Sequence, residues 1–287
     1  MQLTDIKTIK DILARHDFHF SKALGQNFLI NPGIAPKMAA QCGADKDTCA
    51  LEIGPGIGVL TRELAAVAKK VVAVELDTRL LPVLDETLAD CENAKVVHGD
   101  ALKIDLHKII KEEFGGGRTV VCANLPYYIT SPVIMHLLES GLAIDALTVM
   151  VQKEAAQRIC ANPGTRESGA ISVAVHYRAQ PKLLFPVSRG SFIPAPNVDS
   201  AVIRLDLHKT PPVDVADETV FFGLVKAAFS QRRKMLTNTL SGFAGLSKPD
   251  VAALLNACGI KPTARAEELT LAQFAALANA VRARAAE

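Results

Sequence analysis

The chain has 287 residues, 49% of them hydrophobic and 22% charged, which supplies enough apolar material for a folded core and excludes a disordered polymer. Residues 1–15 mix apolar with charged positions and build no signal-peptide core, and no apolar run reaches the ~20 residues of a spanning helix, so a cytoplasmic protein without membrane attachment is expected. Six cysteines without a C-x-x-C pair argue against zinc or any other metal and against a disulfide framework, while the net charge of +2 conceals a tail from Lys209 onward with 10 Lys/Arg against 7 Asp/Glu.

Along the chain, Ile6, Ile9, Ile12 and Leu13 recur at helical spacing within 5–15. Asn31-Pro32, followed by 35–41 and Gly43, predicts an N-cap, an N1 proline, a helix and a closing glycine. A glycine-containing loop, 21–30, lies between them. Short β-type runs then follow at 48–53, 71–75, 95–98, 119–123 and 147–152, alternating with helical stretches at 59–68, 78–89, 105–113, 131–139 and 154–160. Repeated βα units with apolar strands predict an α/β fold whose mostly parallel sheet is covered on both faces. After a helix at 169–179, the runs 182–187 and 201–207 predict a closing antiparallel pair, separated by Phe192-Ile193-Pro194-Ala195-Pro196. The expected linker is 209–212, and helices at 220–240, 248–258 and 270–285 follow it. Two domains are thus expected, a larger one over 1–208 and a small all-α one over 209–287.

The first long strand ends in Glu52-Ile53-Gly54-Pro55-Gly56-Ile57-Gly58 and runs into a helix. Glycines there let a ligand approach the backbone in the crevice at the carboxyl ends of the strands. A dinucleotide turn would need its third glycine where Val59 stands, so NAD fits less well. Glu75, 21 positions after Gly54, ends the next strand, where a carboxylate can accept both ribose hydroxyls. Asp100, in His98-Gly99-Asp100-Ala101 after the third, can accept from an adenine amine. Together these describe an adenosyl ligand without a diphosphate, which S-adenosylmethionine satisfies. His98 is read as structural, and Asp77 as a solvated neighbour of Glu75.

The fourth strand ends in Asn124-Leu125-Pro126-Tyr127. An exocyclic amine is a poor nucleophile because its lone pair is delocalised into the ring. Two acceptors, the Asn124 side-chain carbonyl and the Leu125 backbone carbonyl, can hold both its N–H bonds if the proline-fixed turn aims them at one point. Tyr127 can stack on an extruded base.

These motifs resemble those of the KsgA/RsmA-type ribosomal RNA adenine dimethyltransferases, over Lys22 to about Leu240. The resemblance rests on Leu24-Gly25-Gln26-Asn27-Phe28-Leu29, the 52–58 turn, Val74-Glu75-Leu76-Asp77, Gly99-Asp100-Ala101, Asn124-Leu125-Pro126-Tyr127 and the nine residues from Phe192 to Ser200. It implies a Rossmann-like class I methyltransferase sheet and dimethylation of the N6 amines of two adjacent adenosines near the 3′ end of small-subunit rRNA, in an immature small ribosomal subunit. It also implies that Asn27, Leu29, Gly54, Gly56, Glu75, Asp100 and Asn124 bind the cofactor, and that Phe192 clamps the target base opposite Tyr127. Tyr128 stands where several relatives carry Asn, outside the core tetrapeptide.

Arg232, Arg233 and Lys234, placed in a predicted helix, are candidate phosphate contacts, with Lys153 and Arg158 weaker ones. A monomer is expected. Two other classes stay open on the sequence: a non-catalytic ribosome assembly factor and a DNA adenine-N6 methyltransferase.

Overall fold

The computed structural model describes residues 1–21 and 25–284. Lys22, Ala23 and Leu24, where the first quoted signature begins, and 285–287, where the last predicted helix ends, lie outside the described residues. Nine strands run in chain order: β1 (Phe28–Leu29), β2 (Cys49–Ile53), β3 (Lys70–Glu75), β4 (Ala94–His98), β5 (Thr119–Asn124), β6 (Ala146–Gln152), β7 (Ala179–Val187), β8 (Phe192–Ile193) and β9 (Ser200–Leu207). Seven form one sheet in the order β4-β3-β2-β5-β6-β9-β7. The first five of these pair in parallel, and β9 enters antiparallel to β6 with Gln152 opposite Ser200. The closing strands β9 and β7 lie side by side, and the mostly parallel sheet expected from the repeated βα units is present.

Burial explains the order. Every residue of β2 is buried, as are all but the last residues of β5 and β6, so these strands carry near-continuous apolar runs with helices on their faces. The edge strand β7 alternates buried with exposed positions and holds Pro181 and Pro186, which a central strand would not tolerate. Local chemistry sets the helix ends. Asp5 accepts from the Thr8 amide to cap Ile6–Arg15, and Asp105 caps Leu106–Phe114, which closes at the left-handed Gly115.

Two expectations are revised at this level. The helix Ile34–Gln41 is capped by Gly33, whose amide is held by Asn31 Oδ1, so Pro32 precedes the helix instead of opening it. The 220–240 stretch is not one helix. It runs Glu218–Ala228, tightens into a single turn at Phe229–Gln231, leaves helical geometry and restarts at Leu236–Thr239. Residues 230–234 offer no apolar side chain to bury, while Leu236 and Leu240 turn back into the core that Phe221, Leu224 and Ala228 of the preceding helix also build, and the Leu236 amide bonds the Ala264 carbonyl. Arg232, Arg233 and Lys234 therefore sit in an exposed turn.

The chain divides into two compact units, 1–156 with 182–207, and 157–181 with 208–287. The second takes in the helix Ala170–Arg178, which the sequence reading grouped with the first domain. Val173 and Tyr177 explain this: both are buried among Phe221, Leu224 and Phe274 of the helical core. Tyr177 and Arg178 both bond the Glu218 carboxylate.

Candidate active site

The carboxyl ends of β2, β3, β4 and β5 border a cleft of about 1130 Å³, open solvent at its mouth included. Parallel strands all present their carboxyl ends on one side, so the loops after them converge there. Gly54 and Gly56, in the turn after β2, hold φ of +72° and +59°. A Cβ at Gly54 would meet nothing within 4 Å, which leaves its backbone open to a ligand, whereas one at Gly56 would press the Phe28 ring at 3.3 Å.

Carboxylates follow on adjacent strands. Glu52, within β2, is 1% exposed and lines the cleft. Burial pushes its carboxyl up to about 8, with the Glu75 charge adding to the rise. Thr61 lies beside it, and among the described residues neither Glu52 Oε2 nor Thr61 Oγ1 meets hydrogen-bond geometry with a partner. Glu75 is buried at the end of β3, and its Oε1 accepts from the Asp77 amide at 2.7 Å. Burial raises its carboxyl also, against the backbone amides that favour its charged form. Asp100, after β4, is half-buried, accepts from the Leu102 amide at 3.0 Å and faces Lys103 Nζ at 3.4 Å.

At the end of β5, Asn124 Nδ2 donates to the Asn27 carbonyl at 3.5 Å. Among the described residues, neither Asn124 Oδ1 nor the Leu125 carbonyl has a donor, so the turn presents two unengaged acceptors. Pro126 is extended at φ −55°, ψ 134°, fixing the chain between them and Tyr127. The Tyr127 hydroxyl shares a hydrogen with Ser200 Oγ at 2.7 Å, and burial raises its pKa. Phe192 is 4% exposed and lines the same cleft.

A short ribbon closes one side. β1 pairs antiparallel with β8, setting Leu29 opposite Phe192 and Phe28 opposite Ile193. The loop before β1 is pinned by Gln26, whose Nε2 donates to Asp77 Oδ2 at 2.8 Å. Asp77 is buried, not solvated as the sequence suggested. It accepts from the Arg79 guanidinium, from the Arg79 amide and from Gln26, and these donors hold its carboxyl below the usual range, Arg79 first. Gln26 stood inside a quoted motif, but nothing in sequence spacing pairs residues 51 positions apart.

All eleven residues expected to bind cofactor or base line this one cleft: Asn27, Leu29, Gly54, Gly56, Glu75, Asp100, Asn124, Leu125, Pro126, Tyr127 and Phe192. Arg232, Arg233 and Lys234 belong to the other unit. Arg232 Nη2 donates to the Arg166 and Ser168 carbonyls, at 2.9 and 3.3 Å, while Arg233 and Lys234 are exposed without an ion pair among the described residues.

A family model described as ribosomal RNA adenine dimethylase matches residues 17–283. The ribosomal RNA small subunit methyltransferase A of Geobacillus thermodenitrificans is 50% identical over 276 residues, which cover 95% of this chain and 94% of that protein. Its counterpart in Alkaliphilus oremlandii is 46% identical over 279 residues, 97% of each chain. Among solved structures, the 23S rRNA methyltransferase ErmE superposes with a TM-score of 0.68 at 26% identity, over 89% of this chain and 100% of that one. A dimethyladenosine transferase from Plasmodium falciparum reaches 0.72 at 25% identity, over 87% and 95%.

Proposed function

The chain belongs to the ribosomal RNA adenine dimethylase family, and from that premise we propose that it uses S-adenosylmethionine to dimethylate the N6 amines of two adjacent adenosines near the 3′ end of small-subunit rRNA. Its substrate on this reading is an immature small ribosomal subunit, met in the cytoplasm by a monomer. The observation that carries the reading is the pair of acceptors at Asn124 and Leu125, unengaged among the described residues and set in the same cleft as the glycine turn and the acids Glu52, Glu75 and Asp100.

The residues present fit the cofactor. Among the described residues Glu52 Oε2 is a buried carboxylate oxygen without a donor, a natural complement to a cationic ligand, and Gly54 leaves the space that a side chain would fill. Gly54 and Gly56 would admit the methionine part, Glu75 would accept from the ribose hydroxyls and Asp100 from the adenine amine, with Asn27 and Leu29 closing over it. When bound, S-adenosylmethionine supplies an electrophilic methyl group on a sulfonium centre.

The chain's own residues do the rest by position. Asn124 Oδ1 and the Leu125 carbonyl accept the two N–H bonds of the target amine and turn its lone pair toward the methyl donor. Tyr127 and Phe192 hold the two faces of the base, replacing the stacking it loses on extrusion. Alignment lowers the barrier, since a held donor and acceptor forgo the entropy of encounter. No side chain need act as a general base, because an alkylated amine is acidic enough to release its proton to water. In the helical unit, Arg233 and Lys234 take RNA phosphates, while Arg232 anchors the 166–168 backbone beside them.

The test is transfer of labelled methyl groups to undermethylated small subunits, followed by nucleoside analysis. Dimethyladenosine is expected. Cofactor binding without product would favour an assembly factor, and transfer to duplex DNA would replace the substrate.

A further inference from the structure

A second cleft lies on the same unit, lined by Gln152 at the end of β6, by Lys153 and Glu154 at the start of the helix that follows, and by Arg189, Asn197, Val198 and Asp199 around the start of β9. Two bonds build it: the Lys153 amide donates to the Asp199 carbonyl at 3.0 Å, and the Arg189 amide to Asp199 Oδ1 at 2.9 Å. The cleft borders the base pocket on two sides. Ser200, next to Asp199, holds the Tyr127 hydroxyl, and the turn Arg189–Ser191 leads directly into Phe192. Both aromatic faces of the pocket are thus continuous with its walls.

Its chemistry differs from that of the pocket. Lys153 and Arg189 are exposed, and among the described residues neither side chain forms an ion pair, although Glu154 and Asp199 line the same cleft and Arg189 Nη1 donates to the Asn197 carbonyl at 3.4 Å. The other arginines of this unit, Arg15, Arg62, Arg79, Arg118 and Arg204, are all paired with acids, which sets Arg189 apart from them. Val198, which lines the same cleft, is an apolar side chain left 44% exposed. Two cations without an ion pair in one cleft with an exposed apolar side chain suit one segment of a nucleotide chain, phosphate on the cations and base on the apolar face.

We propose that this second cleft holds the nucleotide next to the target adenosine, with its phosphate on Lys153 and Arg189 and its base against Val198. The inference rests on the RNA methyltransferase reading above. A base extruded between Tyr127 and Phe192 leaves its backbone at the pocket rim, and the neighbouring phosphate must pass the wall that Ser200 and Arg189 form. Gripping it there fixes the register of the target in the pocket.

The experiment compares wild type with Lys153→Gln, Arg189→Gln and the double variant on undermethylated small subunits across a salt series. The expected result for the double variant is a KM raised about tenfold or more, kcat within about threefold and S-adenosylmethionine affinity unchanged by calorimetry. The slope of log KM against log salt should fall by about one to two, as one or two phosphate contacts are lost. Arg189→Lys should recover most of the loss, and Val198→Asn should raise KM with the salt slope kept. An unchanged KM and slope in the double variant overturns the proposal, as does a loss confined to kcat or to thermal stability. If the wild-type protein transfers no methyl group to subunits, the functional reading has failed instead.

Discussion

Glu52→Gln separates what the cleft costs the fold from what it gives the ligand. The Glu52 carboxyl rises from its ordinary value of 4.5 to about 8 in the folded chain, mainly through burial. The folded state therefore keeps a proton that the unfolded chain releases, and stability falls with rising pH across that window. The penalty is absent below about 4.5 and complete above about 8. At about 1.4 kcal/mol per pH unit, a shift of about 3.5 units sets a ceiling near 5 kcal/mol. Water reaching the cleft reduces this, so a gain of about 2–3 kcal/mol is expected for Glu52→Gln at pH 8, and under about 1 kcal/mol at pH 5. Urea unfolding of both proteins at pH 5, 6.5 and 8 measures the difference. The same variant should bind S-adenosylmethionine at least tenfold more weakly at pH 8, since the charge that burdens the empty cleft is the one a cation recovers. A stability difference that does not change with pH, or a variant less stable at pH 8, would refute the reasoning.

Three further outcomes follow from the same geometry. Asn124→Ala removes one of the two acceptors and should lower kcat for methyl transfer by about 10²–10³, a loss typical of a single positioned hydrogen-bonding group, with cofactor affinity by calorimetry held within about tenfold. Asp77→Asn releases Gln26 and Arg79 together, so cofactor affinity should drop about tenfold at pH 7. Because the Asp77 carboxyl is held low in the fold, wild type keeps this anchor through neutral pH and loses it only in acid, as pH falls through that lowered value. Gly43→Ala should cost about 2–3 kcal/mol in thermal or urea unfolding, because Gly43 sits at φ +87° and a Cβ there would come within 2.8 Å of the Arg204 guanidinium. That guanidinium is already fixed on Asp206 and the Gln41 carbonyl.

Periodicity carried the sheet because each βα unit is a local statement: an apolar run, a turn, an amphipathic helix. It marked Glu75 and Asp100 for the same reason, since the one ends and the other closely follows a strand that the pattern marks. It failed at 220–240, where a charged run between two apolar stretches reads as one exposed helix face, and only the return of Leu236 to the core, with its amide on the Ala264 carbonyl, shows the break. It also took Asp77 for a surface acid, because the partner that buries it comes from a loop 51 residues away.

The amino-acid sequence by itself determined the strand and helix alternation, the glycine turn and the identity of the groups that meet at the strand ends, because these follow from local spacing and from the common direction of parallel strands. Only the tertiary structure decided which side chains lose water and which face one another. It paired Leu29 with Phe192 and, among the described residues, left Glu52 Oε2 buried without a donor and Lys153 and Arg189 without an ion pair. Burial and long-range pairing depend on the whole chain at once, and no window of sequence contains them.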